Sequence, residues 1–284
     1  MGKAVAQIPQ VKIENPDVGE ISELLGFSIA VEDDIMVAGA PSTDIGDCTG
    51  AGVAKVYHKN SKDEWIFEAE LTAEQILKHD GFAYSVAVSS DTVVVRSKCG
   101  NEWGYNEVSA HVFTRSDGIW TEQAKLINPN TPSHRNYFCS VSISDDTIIV
   151  GANWDKEETG AAYVYTRSEG MWMQQAKLTA DDANYGDNFG LSVAISGDTA
   201  VVGSRRDEPG GPCSGSAYVF TRSGGVWVQQ DKLLPSSVLP NGCIGYSVSV
   251  SGDRAVIGAP FDASGGRDSG AAYLFTCSGG VWKQ

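Results

Sequence analysis

The chain writes one unit five times, and that limits its fold more than any other feature. A serine recurs at Ser28, Ser85, Ser140, Ser192 and Ser247, at intervals of 57, 55, 52 and 55 residues; a tryptophan recurs at Trp65, Trp120, Trp172, Trp227 and Trp282, at intervals of 55, 52, 55 and 55. Two unrelated side chains keep one period, so the repeat is structural rather than compositional. A unit this short buries a core only by stacking on its neighbours.

Each unit reads as four β-strands. "LSVAIS" (191–196) crosses a tight turn into "TAVVG" (199–203); after a variable loop comes a strand such as "GAAYVYTRS" (160–168), and a short turn opens a fourth, "MWMQQAKL" (171–178). The first strand alternates large with small, Leu191, Val193 and Ile195 against Gly190, Ser192 and Ala194. A sheet wet on one face would alternate apolar with polar, whereas this pattern fits sheets covered on both faces. Five such sheets make an all-β chain, a five-bladed β-propeller of four-stranded antiparallel blades. The chain stops at "GGVWKQ", partway through a fourth strand, and "QVKI" (10–13) matches the later half of that strand, so strands from both termini are expected to close the ring. Residues 1–284 then form one domain, with repeats at 25–81, 82–136, 137–188, 189–243 and 244–284 and residues 1–24 completing the last blade. The alternative is five blades cut from a longer array.

Charge narrows the partners. A formal net charge of -15 repels phosphate backbones and anionic lipid, so neither nucleic acid nor membrane insertion is expected. No apolar run nears the ~20 residues of a membrane span. The start, "MGKAVAQIPQ", shows no signal-peptide core.

"FGLS" (189–192) and "GAP" (39–41 and 258–260) resemble the FG-GAP repeats of integrin alpha-subunit propellers. Leu25-Gly26, Phe82-Ala83, Tyr137-Phe138 and Ile244-Gly245 stand for the first pair elsewhere, and "RSK" (96–98) replaces the triplet in the second unit. The resemblance spans nearly the whole chain and implies the propeller fold and an extracellular or cell-surface setting; it names no activity, because propellers host many. Repeats of this type often carry calcium in the first hairpin. Here those turns read only "EDD", "SSD", "SDD", "SGD" and "SGD", too few oxygens for a cation that takes about six to eight. No cofactor is expected. The calcium alternative is Asp181, Asp182, Asn184 and Asp187 in "DDANYGDN" (181–188), with Asp262 and Asp268 on the same face.

In an up-and-down blade the loops after strands two and four share one rim. The loops after strand two differ in every unit while those after strands one and three hardly change, which places specificity on that rim. Two tryptophans outside the periodic set fall there. The candidate ligand-binding residues are Trp103, Tyr105, His79 and Asp80 in one neighbourhood, Trp154, Asp155, His134 and Arg135 in the next, and Arg205 and Arg206 on the fourth unit. Aromatic plates beside hydrogen-bonding groups suit a glycan or a protein segment. The competing assignments make the tryptophans cores of their own loops and pair the arginines with Asp207 and Glu208.

The reading is a non-catalytic recognition or adhesion propeller, not an enzyme. A polysaccharide-cleaving propeller needs two carboxylates flanking the scissile bond, and only Asp80, Asp187 and Asn188 offer themselves, in no shared register. The third alternative is a structural spacer of a larger adhesin or filament. His58, His79, His111 and His134 form no metal motif; His111 takes the strand-three position of Tyr163, Tyr218 and Tyr273, as a core substitution. Six cysteines without CxxC spacing argue against zinc, and Cys213 with Cys243 and Cys48 with Cys99 are the expected disulfides, which would require an oxidising compartment. Cys139 and Cys277 are expected free.

Overall fold

The computed structural model describes residues 23–75, 78–97, 109–127, 138–155 and 159–284. These residues hold the five four-stranded antiparallel sheets of a five-bladed β-propeller, each sheet in plain sequence order. Blade 1 runs β1 (Ser28–Glu32), β2 (Ile35–Ala40), β3 (Val53–Lys59) and β4 (Trp65–Leu71); blade 2 runs β5 (Ser85–Ser89), β6 (Thr92–Arg96), β7 (Ser109–Ser116) and β8 (Ile119–Ile127). Blade 3 runs β9 (Phe138–Ser144), β10 (Thr147–Ala152), β11 (Ala161–Ser168) and β12 (Met171–Leu178); blade 4 runs β13 (Phe189–Ser196), β14 (Thr199–Ser204), β15 (Ser216–Ser223) and β16 (Val226–Leu233). Blade 5 runs β17 (Ser247–Ser251), β18 (Arg254–Ala259), β19 (Ala271–Ser278) and β20 (Val281–Lys283).

Each blade opens on a two-residue hairpin turn whose first residue is left-handed: Asp33 (φ 49°), Ser90 (49°), Asp145 (50°), Gly197 (55°) and Gly252 (55°). The acidic residue that follows is held by strand three. Arg167 Nε donates to Asp146 Oδ1 at 2.6 Å, and Arg222 Nε donates to Asp198 Oδ1 at 2.6 Å. These carboxylates fasten turns.

Because successive side chains of a strand point to opposite faces, neighbouring residues of one strand enter different cores. On β14, Ala200 and Val202 join the core shared with blade 3, whereas Val201 joins the core shared with blade 5. First strands pack side by side, β1 with β5, β5 with β9, β9 with β13 and β13 with β17. The periodic serine crosses this seam: Ser28 Oγ donates to Ala83 O at 2.8 Å and Ser192 Oγ to Gly245 O at 2.9 Å. Glycine faces the same seam on strand two, where a Cβ on Gly203 would lie 2.0 Å from Gly245 O. Only a bare Cα lets the next blade come so close.

Among the described residues, four apolar cores fill the spaces between consecutive blades, and no comparable packing joins β17 back to β1. Strand β20 pairs with only the last three residues of β19, Thr276 to Ser278. The segment expected to complete that blade, residues 10–13, lies outside the described residues.

Candidate functional site on the loop rim

The loop after strand two of one blade and the loop leading to the next blade are stitched together as short parallel pairs. His79 N donates to Thr49 O at 2.8 Å and Phe82 N to Ala51 O at 2.8 Å; Cys243 N donates to Cys213 O at 3.0 Å and Ile244 N to Ser214 O at 2.9 Å. Both loop sets therefore stand on one rim, which backbone hydrogen bonds make rigid.

Under that rim lies a buried polar layer. Strand three places one side chain there in each blade, opposite strand two: Lys55, His111, Tyr163, Tyr218 and Tyr273 face Ala38, Val95, Val150, Val202 and Ile257 in register. In blades 3, 4 and 5 the phenol is bound by an aspartate from the loop after strand two. Tyr163 OH donates to Asp155 Oδ2, Tyr218 OH lies 3.1 Å from Asp207 Oδ2, and Tyr273 OH donates to Asp262 Oδ2 at 2.6 Å. Strand four adds a lysine, with Lys177 Nζ 2.6 Å from Asp155 Oδ2 and Lys232 Nζ 2.6 Å from Asp207 Oδ2. Burial pushes the Tyr273 phenol up to about 12, and Asp262 lies below the usual carboxylate range because it accepts from Ser264 and Tyr273. This layer was missed in the sequence, although a signal existed: "GANWD", "GSRRD" and "GAPFD" each set an aspartate four residues after the seam glycine.

In blade 4 the layer opens into a cavity of about 750 Å³, lined by Asp182, Tyr185, Asp187, Arg206, Glu208 and Lys232 among others. Lys232 Nζ also lies 2.6 Å from Asp182 Oδ2, so one ammonium bridges two carboxylates, above the Tyr218 ring at 5.0 Å. Burial alone would lower the lysine's proton affinity; the two carboxylates outweigh it and hold Lys232 well above the usual range. Partial burial opposes ionisation of Asp182, but the bonds from Lys232 and Tyr218 prevail and hold it below the usual range. Asp187 goes the other way, because burial raises it more than the bond from Asn184 N (2.7 Å) lowers it. The acidic loop considered for calcium thus already hosts an ammonium ion at Asp182. Among the described residues no group of three or more His, Cys, Asp or Glu side chains is placed to hold a metal.

The structure distributes the other sequence candidates unevenly. Trp103, Tyr105, His134 and Arg135 lie outside the described residues, as does Cys99. Asp155 is buried and occupied by Tyr163 and Lys177, an internal position, while Trp154 beside it is half-buried. Asp80 is buried at a second cavity, of about 410 Å³, and His79 is exposed on left-handed backbone at φ 59°. Arg206 reaches the blade 4 cavity. Arg205 stacks 5.8 Å over the Tyr246 ring instead of pairing with Asp207, which Lys232, Ser216 and Tyr218 occupy. The expected Cys213–Cys243 disulfide is not formed: both are thiols, and the loops that carry them are already tied by backbone bonds. Burial, reinforced by Cys213, pushes the Cys243 thiol up. Cys277 is a thiol, as expected.

The FG-GAP repeat model matches residues 65–113, 120–165, 172–220 and 227–275, most of the chain. The chain belongs to the FG-GAP repeat family. Each matched FG-GAP unit begins at a periodic tryptophan and ends on strand three of the next blade, so the family unit is offset by one strand from the blade. No curated protein matches the chain. Among solved structures it is similar to the periplasmic gluconolactonase PpgL of Pseudomonas aeruginosa, at a TM-score of 0.59 and 14% identity, covering 90% of this chain and 70% of that one. At that identity the likeness concerns the fold alone.

Proposed function

We propose that this FG-GAP propeller recognises a polar ligand, a glycan or a protein segment, on its loop rim, with the cavity between the loops of blades 3 and 4 as the principal site. The observation that carries the reading is the cavity's make-up: its volume suits a small ligand or a side-chain cluster, its charged lining is fixed by Lys232 and Tyr218, and Tyr185 at its edge is 72% exposed. An exposed phenol beside preset charges offers ring stacking together with directional hydrogen bonds. In sequence, Trp103 and Trp154 fall in the loops of blades 2 and 3 that correspond to the Arg206 loop of blade 4. Family membership supports an extracellular or cell-surface setting. A glycan-array screen followed by calorimetry tests the site: Tyr185→Ala and Arg206→Ala should each weaken binding at least about tenfold with the fold intact. Binding that ignores both substitutions removes this cavity from the proposal.

A second reading, polysaccharide cleavage, is favoured by one observation. Asp187 and Asp182 line the same cavity with proton affinities displaced in opposite directions, the relation of a general acid to an ionised partner. It requires turnover of a polysaccharide that Asp187→Asn abolishes.

A further inference from the structure

Blade 2 breaks the polar layer that blades 3, 4 and 5 keep. The aspartate four residues after the seam position is Gly100 in sequence, and the tyrosine is His111. What replaces them is a linear chain of hydrogen bonds. Ser109 Oγ lies 2.9 Å from His111 Nε2, and His111 Nδ1 lies 2.6 Å from Glu122 Oε1. Glu122 is fixed in turn, because its Oε2 accepts from Glu74 N at 3.1 Å across the blade boundary. Phe82 meets the imidazole edge-on at 5.3 Å between ring centres, which restricts its rotation. Glu122 accepts the Nδ1 proton, so Nε2 presents its lone pair to the Ser109 hydroxyl. Ser97, His111, Glu122 and Lys125 all line the 410 Å³ cavity with Ser109. Lys125 stands directly opposite His111 in the strand register.

We propose that Ser109, His111 and Glu122 form a nucleophilic triad that hydrolyses small carboxylic esters in the blade 2 cavity. The triad's own atoms are in place: a hydroxyl on Nε2 and a carboxylate on Nδ1, with Ser109, almost fully buried and 3.1 Å from Ser97 Oγ, lining the cavity. Ser109 Oγ bonds to the acyl carbon as its proton passes to His111 Nε2; the ester C–O bond then breaks and the departing alkoxide takes that proton as an alcohol. Water adds to the acyl-serine, gives a proton to Nε2, and the carboxylic acid leaves as Ser109 regains its hydrogen. Glu74, Asp80 and Glu122 around the cavity select neutral or cationic esters over anionic ones. The site is separate from the blade 3–4 cavity, so it stands or falls independently of the recognition proposed there.

A fluorophosphonate probe tests it on the intact chain, since the probe reacts only with an activated serine. Mass spectrometry should place the adduct on Ser109, and p-nitrophenyl acetate should be turned over. Ser109→Ala, a small change, should remove both signals while circular dichroism stays unchanged. Glu122→Gln should slow labelling at least about tenfold, because it no longer fixes the Nδ1–H tautomer. An unlabelled wild-type chain, an adduct on Ser97 instead, or labelling at an undiminished rate in both His111→Gln and Glu122→Gln would each overturn the proposal.

Discussion

One ammonium ion holds the blade 4 site together. Lys232 touches Asp182, Asp207 and the face of Tyr218, and Asp207 has little access to water. Lys232→Met therefore strands a buried carboxylate on the Ser216 hydroxyl and the Glu208 backbone N–H. We expect it to cost about 2–3 kcal/mol in urea unfolding, below the full penalty for a buried pair because Lys232 keeps some contact with solvent. The pH dependence has a definite sign. Asp182 is displaced downward in the folded state, so its contribution to stability is complete above the ordinary carboxylate value and is lost as pH falls through the folded one. Asp182→Asn should flatten that part of the acid limb, and an unchanged limb would mean that the pair contributes nothing in solution. At this scale the sequence was half legible. The substitution of His111 for tyrosine was visible as a break in a column; its partners Ser109 and Glu122 were not, because a serine two residues before it and a glutamate on the next strand read as ordinary strand residues.

Strand four shows how a repeat can carry information that periodicity alone does not decode. Where strands three and four pair in blades 1 to 4, the register slips by one residue, leaving Glu68, Gln123, Gln175 and Gln230 as the extra residue of a β-bulge. Each of these receives the indole N–H of the next blade's tryptophan: Trp120 on Glu68 at 3.2 Å, Trp172 on Gln123 at 3.0 Å, Trp227 on Gln175 at 2.9 Å and Trp282 on Gln230 at 3.3 Å. The bulge re-aims one side chain sideways, which is what bulges do. Arg222 stacks 5.2 Å over the Trp227 ring, completing the clasp on the outer edge. Gln175→Leu should cost about 0.5–1.5 kcal/mol, the net worth of a neutral hydrogen bond, and should add nothing further in a Trp227→Phe background. Additive costs in that double-mutant cycle would show that the pair is not coupled. The strands and turns were readable from alternation and turn residues. The bulges were not, since an extra glutamine in a polar outer strand looks like any other solvent-facing residue.

The period counts blades but says nothing about the angle between them; the one sequence feature that pointed to a closed ring was the match of residues 10–13 to the later half of a fourth strand. That angle is set by how side chains mesh across each seam. Its consequence is visible at the two ends of the array. Val219 is 0% exposed in blade 4, while Leu274 at the same repeat position in blade 5 is 53% exposed; Val86 is 7% exposed in blade 2, while Ile29 at its position in blade 1 is 72% exposed. The same fold position is therefore core in one blade and surface in another, and one substitution made twice separates the two environments. Val219→Asp buries a charge between blades with no partner and should cost more than about 4 kcal/mol or prevent folding. Leu274→Asp introduces the same charge into water and should shift unfolding by less than about 0.5 kcal/mol. Both are read from urea midpoints at matched protein concentration. A large cost at Leu274 would mean that this face is covered in solution, as blade 1 would cover it in a closed ring, because only a second seam makes that position intolerant of charge.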